Sequence, residues 1–329
     1  MIDSIPFKVP LEFAAGLADG SITRIGTLLK DTATGQIVAH VQETGVAQNL
    51  LQGISSTPFM ALGGLDLASS GYANYQLAQL KTMVEGLQVL QYANLGVALA
   101  GIGVSVIGFS MINKRLKLIE RQVAEMGARI EQHFSDLSQS MLRHHYYQVQ
   151  TLFEMAGQAL CLKNPDRELL AVASQLGNES GYFRGEVTYM LSKENFDPEL
   201  FLSLTRSYTL CNAGRLECLM LARELPAAKK VAQDVGSHYR SLFDPLVPNR
   251  IAINMLPIEE RWLESSSIKL KQIQGEVATL VQGVRDATEA ALTKPYLIDT
   301  LIEKDIDGYE YIKTLREEKS NPLYLLAAT

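Results

Sequence analysis

KRLKLIERQVAEMGARIEQHFSDLSQSML, residues 114–142, places apolar side chains at Leu116, Ile119, Val123, Met126, Ile130, Phe134, Leu137 and Met141. The steps are three and four residues, with one additional four, which is the spacing of an amphipathic helix carrying a heptad seam and a stutter. No Pro interrupts the chain from Lys114 to Leu162. A helix of about 45 residues is expected there, roughly 70 Å long at 1.5 Å per residue. Upstream, Leu77, Leu80, Val84 and Leu87 carry the same rhythm toward a glycine-rich stretch.

A second seam lies late in the chain. Leu263, Ser266, Leu270, Ile273, Val277, Leu280, Val284, Ala287 and Ala291 step by three and four, while Lys269, Lys271, Glu276, Arg285, Asp286 and Glu289 fall off that face. A rod of about 35 residues, Ile258–Leu292, follows from this pattern. Between the rods shorter helices are expected over Asp166–Leu176, Glu179–Ser192, Leu200–Leu225 and Pro226–Phe243. Asp197 followed by Pro198 reads as an N-cap with Pro in the first turn. Beyond Pro295, intermixed charges point to a solvated terminal helix and tail.

The N-terminal region reads differently. Residues 21–43, SITRIGTLLKDTATGQIVAHVQE, hold two β-branched, apolar runs around Asp31–Gly35. Asp at the start of a turn and Gly where positive φ is needed make this a β-hairpin, with His40 as a structural residue of its second strand. The fold class is therefore mainly α: an elongated helical bundle with long coiled-coil-like helices and a small N-terminal β-hairpin. Residues 1–43 form the hairpin segment, 44–113 a charge-poor region and 114–329 the bundle.

Composition bounds the functions. Thirty Lys and Arg against 36 Asp and Glu give a net charge of −6, which excludes a chain-wide basic footprint for nucleic acid. The opening MIDSIPFKVPLEF has no basic start followed by an apolar run, so no secretory signal is expected and the default location is cytoplasmic. Three cysteines, Cys161, Cys211 and Cys218, fit free thiols rather than a disulfide scaffold. His144 and His145 are adjacent, so they diverge on a helix, and His133 brings no carboxylate or thiol to complete a metal set. Gly101, Gly103 and Gly108 lack the Lys-Ser/Thr and the strand–turn–helix context of a nucleotide loop. No catalytic signature occurs; no enzyme activity, cofactor, metal or small-molecule substrate is expected.

The charges are unevenly spread. Between Thr44 and Asn113 only Asp66, Lys81 and Glu85 are charged. Within this span LGVALAGIGVSVIGFSMI, residues 95–112, meets the lower length of a membrane helix. Its Leu, Ile, Val and Phe residues supply roughly −3 to −5 kcal/mol of insertion free energy. The candidate membrane segment is carried by Leu95, Gly96, Leu99, Gly101, Gly103, Val106, Ile107, Gly108, Phe109 and Ile112. Lys114, Arg115, Lys117 and Arg121 follow at once as candidate headgroup contacts. Small residues at helix spacing allow close helix packing.

Long amphipathic helices flanking an apolar, glycine-rich section give a layout similar to that of α-helical pore-forming toxins, over residues 70–160 and 258–292. That resemblance implies a membrane-active protein that folds soluble and inserts or associates through the apolar helix, forming a pore as an oligomer. The competing expectation is a soluble scaffold or protein-interaction module with the apolar helix buried as core. The partners expected are a lipid membrane, and another protein or a second copy of the chain along the helical seams.

Overall fold

The computed structural model describes residues 11–25, 28–44, 108–125, 136–194, 196–256, 261, 266–318 and 323–327. It is mainly α, with one small antiparallel sheet.

Helices α1 (Leu11–Asp19), α2 (Phe109–Glu125) and α3 (Asp136–Ala159) come first, with strands β1 (Ile22–Ile25), β2 (Leu28–Asp31) and β3 (Ile37–Glu43) between α1 and α2. The seam that reads as one rod from Lys114 onward belongs to two antiparallel helices. Glu154 of α3 accepts from Asn113 at 3.2 Å and lies 3.4 Å from Lys117 Nζ, while Gln150 donates to Glu120 at 2.6 Å. Position 113 thus faces 154 and position 120 faces 150, so the expected single helix over 114–162 is corrected to a helix pair. Each helix buries its own stripe: Ile112, Leu116, Ile119 and Val123 on α2, and Leu142, Tyr146, Val149, Phe153 and Ala156 on α3. Met141, the last residue of the apparent seam, is exposed because α3 starts a new stripe one position later.

Helices α4 (Asp166–Ser192), α5 (Pro198–Leu221), α6 (Leu225–Phe243) and α7 (Pro248–Asn254) follow. The two helices expected over 166–192 are one continuous helix. Glycine weakens a helix by about 1 kcal/mol relative to alanine. Here the buried stripe Leu169, Val172, Leu176, Phe183, Val187 and Met190 packs α4 along α5 and holds the helix through its three glycines. Asp197 caps α5 as its spacing suggests, its Oδ1 accepting from the amides of Glu199 at 2.9 Å and Leu200 at 3.0 Å. Helix α5 is the centre of the bundle, buried around most of its circumference. The Phe153 ring of α3 occupies the place a Cβ would take at Gly214, so only glycine allows this contact.

Helices α8 (Ser266–Glu303) and α9 (Gly308–Glu317) and strand β4 (Leu323–Ala327) complete the chain. The late seam is present from Leu270 on, with Leu270 and Ile273 partly buried and Val277, Leu280, Val284, Ala287 and Ala291 buried, α8 lying against α6; Leu263 and the side chain of Ser266 lie outside the described residues. It also continues through Pro295 to bury Leu297, Ile298 and Leu301. The solvated tail expected beyond Pro295 is therefore corrected. Tyr311, Ile312 and Leu315 of α9 are buried, and β4 is a strand of the sheet.

That sheet has the order β1-β2-β3-β4, all antiparallel. The turn read at Asp31–Gly35 is present: Asp31 Oδ1 accepts from the Thr34 amide at 2.7 Å, and Gly35 has φ +71°. The first expected strand is two strands, β1 and β2, and β3 pairs on its other side with β4, Val41 opposite Leu325. A lone hairpin is marginal in water. This one is covered from the helices, His40 Nε2 lying 2.8 Å from Thr300 Oγ1 and Tyr311 donating to Gln42 at 3.2 Å. His40 is buried in β3.

Candidate functional site

The residues singled out as a membrane segment divide at Gly108. Leu95, Gly96, Leu99, Gly101, Gly103, Val106 and Ile107 lie outside the described residues. Gly108 is at φ +82°, a left-handed conformation that L side chains avoid, and its carbonyl accepts the first helical hydrogen bond of α2, from the Ile112 amide at 3.2 Å. A helix continuous through Gly108 is thereby corrected: α2 starts at Phe109. Phe109 and Ile112 are 2% and 0% exposed, and Phe109 stacks on Phe153 with centroids 6.5 Å apart. These two side chains are part of the protein core.

The basic cluster sits on the opposite side of the same helix. Lys114, Lys117 and Arg121 are three and four residues apart and share one face. At about 100° per residue that face is turned away from the Ile112–Leu116–Ile119–Val123 stripe. Lys114 and Arg121 are exposed; Lys117 is half-buried and paired with Glu154. The side chain of Arg115 lies outside the described residues. Leu118 beside them and Tyr147 on α3 are exposed, so the outer face of the helix pair combines cations with an apolar and an aromatic side chain.

Just behind Gly108 the structure brings together a pair that no local pattern foretells. Glu217 of α5 accepts a charge-assisted hydrogen bond from Arg316 of α9, 99 residues later in the chain. Glu217 is fully buried, and burial pushes its carboxyl up to about 7 against the opposing pull of Arg316. The available signal in the sequence is one acid inside an apolar helical run, Leu216-Glu217-Cys218-Leu219-Met220.

The histidine pair is split by its helix. His144 is exposed, while His145 Nδ1 lies 2.7 Å from Glu179 Oε2 and its ring stacks on Tyr182 at 3.5 Å between centroids. Burial, reinforced by Glu186, raises the Tyr182 hydroxyl, and burial raises Glu186. Around it the central helix pairs several of its polar groups internally. Ser180 donates to Asn212 at 2.7 Å, Tyr146 and Ser207 are 3.0 Å apart, and Thr209 bonds Tyr239. Such closed pairs fix helix register, while Thr205 Oγ1 and Arg206 Nε of the same helix are buried without a hydrogen-bond partner among the described residues. Cys211 and Cys218 are buried free thiols, both pushed up by burial, and Cys161 is an exposed free thiol.

Among the described residues no group of three or more His, Cys, Asp and Glu side chains could hold a metal ion, and no helix is long and apolar enough to cross a membrane. The chain matches no protein family, no curated protein and no solved structure.

Proposed function

We propose that this chain is a helical-bundle protein that associates peripherally with an anionic membrane surface through the outer face of α2. The observation that carries the reading is the stripe Lys114–Lys117–Arg121, with Lys114 and Arg121 exposed to solvent, which begins directly where the apolar run joins the bundle. Each cation near an anionic surface contributes about 1 kcal/mol. Burial of Phe109 and Ile112 leaves residues 95–107 as the apolar run ahead of Gly108. Its length falls in the ~10–14-residue range that suits an interfacial segment better than a span. Surface association with shallow entry is therefore favoured over a transmembrane helix. Oligomeric pore formation is the finer form of the same reading.

Flotation of the full chain with neutral phosphatidylcholine vesicles and with vesicles containing phosphatidylglycerol tests it. Salt-sensitive binding to the anionic vesicles alone is expected, falling at least about tenfold in Lys114→Glu/Arg121→Glu. Release of trapped dye reads pore formation separately. Absence of binding to either vesicle rejects the proposal. It would leave a soluble interaction scaffold, the second reading, which the burial of Phe109 and Ile112 and the exposed Met141 and Tyr147 favour.

A further inference from the structure

Helix α5 packs between α4 and α6, and the registers on its two flanks bring one set of polar side chains together. The guanidinium of Arg215 on α5 lies over Gly177 of α4, its Cζ 3.0 Å from where a Cβ would stand, and Ser180 of α4 donates to Asn212 of α5 at 2.7 Å. One turn further along, the same antiparallel register sets Arg184 beside Tyr208. On the other flank Tyr208 stacks on Tyr239 of α6 at 5.3 Å between centroids, and Phe201 meets Phe243 at 6.2 Å. His238 thus comes level with Tyr208, and Asp234 lies a turn away toward Arg215. Tyr208 and Arg215 are seven residues apart and share a face of α5. Gly177, Gly181 and Arg184 share the side of α4 opposite to Glu179, Tyr182 and Glu186. A Cβ at Gly181 would meet nothing within 4 Å, so this wall of the groove is bare.

The groove holds cations that the bundle does not use. Among the described residues neither the Arg184 nor the Arg215 guanidinium has an ion pair or a hydrogen bond, and both side chains are half-buried. Asp234, the carboxylate that acts on Arg215 and His238, is itself paired with Lys230 at 2.9 Å. With Lys230 offsetting Asp234, the two guanidiniums leave two uncompensated positive charges. Burial pulls Arg215 down, and burial together with Arg184 pulls His238 down against Asp234, so further positive charge is disfavoured there and an anion is welcome. Tyr208 adds a directed donor. It is 1% exposed, and its hydroxyl has no hydrogen-bond partner among the described residues, Asn212 beside it being taken by Ser180 and by the Tyr208 carbonyl at 3.0 Å. Burial raises that hydroxyl to about 12 against the charge of Arg184, so it keeps its proton.

We propose that Arg184, Arg215 and the Tyr208 hydroxyl form a phosphate-binding site in the groove between α4 and α6, with His238 at its rim. Two guanidiniums match the charge of a phosphate monoester dianion and offer planar forks to its oxygens. A carboxylate would leave one charge unmatched. No residue of α2 takes part, so the site stands apart from the proposed membrane face. A soluble phosphate ester and a phosphatidic acid headgroup carry the same recognised group.

Titration of the full chain, labelled with ¹⁵N-arginine, with inorganic phosphate at constant ionic strength reads the site. The Nε–H signals of Arg184 and Arg215 should shift saturably while that of exposed Arg240 stays in place, and acetate should move none of them. Arg184→Gln and Arg215→Gln should each weaken binding at least about tenfold, the loss of a charge-assisted contact, and Tyr208→Phe about fivefold. Gly177→Ala, whose Cβ pushes the Arg215 guanidinium aside, should weaken binding without lowering the denaturant midpoint, and serves where an arginine variant folds poorly. Linear shifts across all arginines, an equal response to acetate, or parent affinity in either arginine variant overturns the proposal. Where phosphate binds, flotation with phosphatidic acid vesicles separates the sources. Loss of flotation in Arg215→Gln assigns a lipid headgroup, whereas unchanged flotation with binding of glycerol 3-phosphate assigns a soluble ester.

Discussion

Helix α2 buries one stripe, Ile112–Leu116–Ile119–Val123, and turns Lys114, Lys117 and Arg121 outward, whereas α5 buries most of its side chains from Leu200 to Leu221, polar ones included. The first helix has a polarity that periodicity displays, with Lys114 and Arg121 exposed on its outer face. The second is buried on nearly every side. Its Ser203, Ser207, Thr209, Asn212 and Glu217 are instead matched to carbonyls, hydroxyls or Arg316. A helix surrounded by neighbours must satisfy most of its polar groups inside the protein, because a buried unpaired one costs about 1–3 kcal/mol. The difference separates a helix packed along one stripe from a helix packed on nearly every side.

The largest expected effect attacks the side chain that joins the two helices. Phe153 packs against Phe109 of α2 and over Gly214 of α5. Phe153→Ala should destabilise by about 3–5 kcal/mol in denaturant unfolding. Gly214→Val, which drives a side chain into the Phe153 ring, should cost about 1–3 kcal/mol. A neutral result for either would mean that α5 is not the tightly packed centre.

Two buried groups give the fold opposing pH responses, each limited to about 1.4 kcal/mol per pH unit. His40 is held down to about 4 by burial and by Lys304, so its neutral form is favoured in the fold. The unfolded chain binds the proton first, and this contribution is lost as pH falls from 6.5 toward 4. Glu217 does the reverse between about 7 and 4.5. Thermal unfolding across this window should show stability rising on acidification in His40→Gln and falling more steeply in Glu217→Gln.

Asp197→Ala removes the cap of α5 and should cost about 1 kcal/mol in the same denaturant assay. Smallest of all, Lys114→Ala and Arg121→Ala should stay within about 0.5 kcal/mol of the parent, because both side chains face solvent. A larger loss there would show that the outer face of α2 is structural, and would remove it as a contact surface.

Much of the helical content was legible because a buried stripe repeats every three or four residues. The Asp197–Pro198 start, the Asp31–Gly35 turn and the late seam are local patterns of this kind. The same rule misled over Lys114–Leu162, where two antiparallel helices, α2 and α3, read as one rod, since periodicity carries no record of chain direction. Strand β4 was hidden for a different reason. LYLLA is a short apolar run that becomes a strand by pairing with β3, nearly the whole chain away. At the candidate site, the basic stripe and its junction with the apolar run were visible, but the burial of Phe109 and Ile112 was not.

Composition and spacing alone thus establish a mainly α protein with capped helices, an N-terminal turn, and a charge-poor stretch edged by Lys114–Arg121. These follow from interactions between residues a few positions apart, which any sequence displays. The reversal between α2 and α3, the closing of the sheet by β4 and the meeting of Glu217 with Arg316 over Gly108 were decided by tertiary packing. Each joins residues far apart in the chain, and which distant groups share a buried volume is a property of the assembled core.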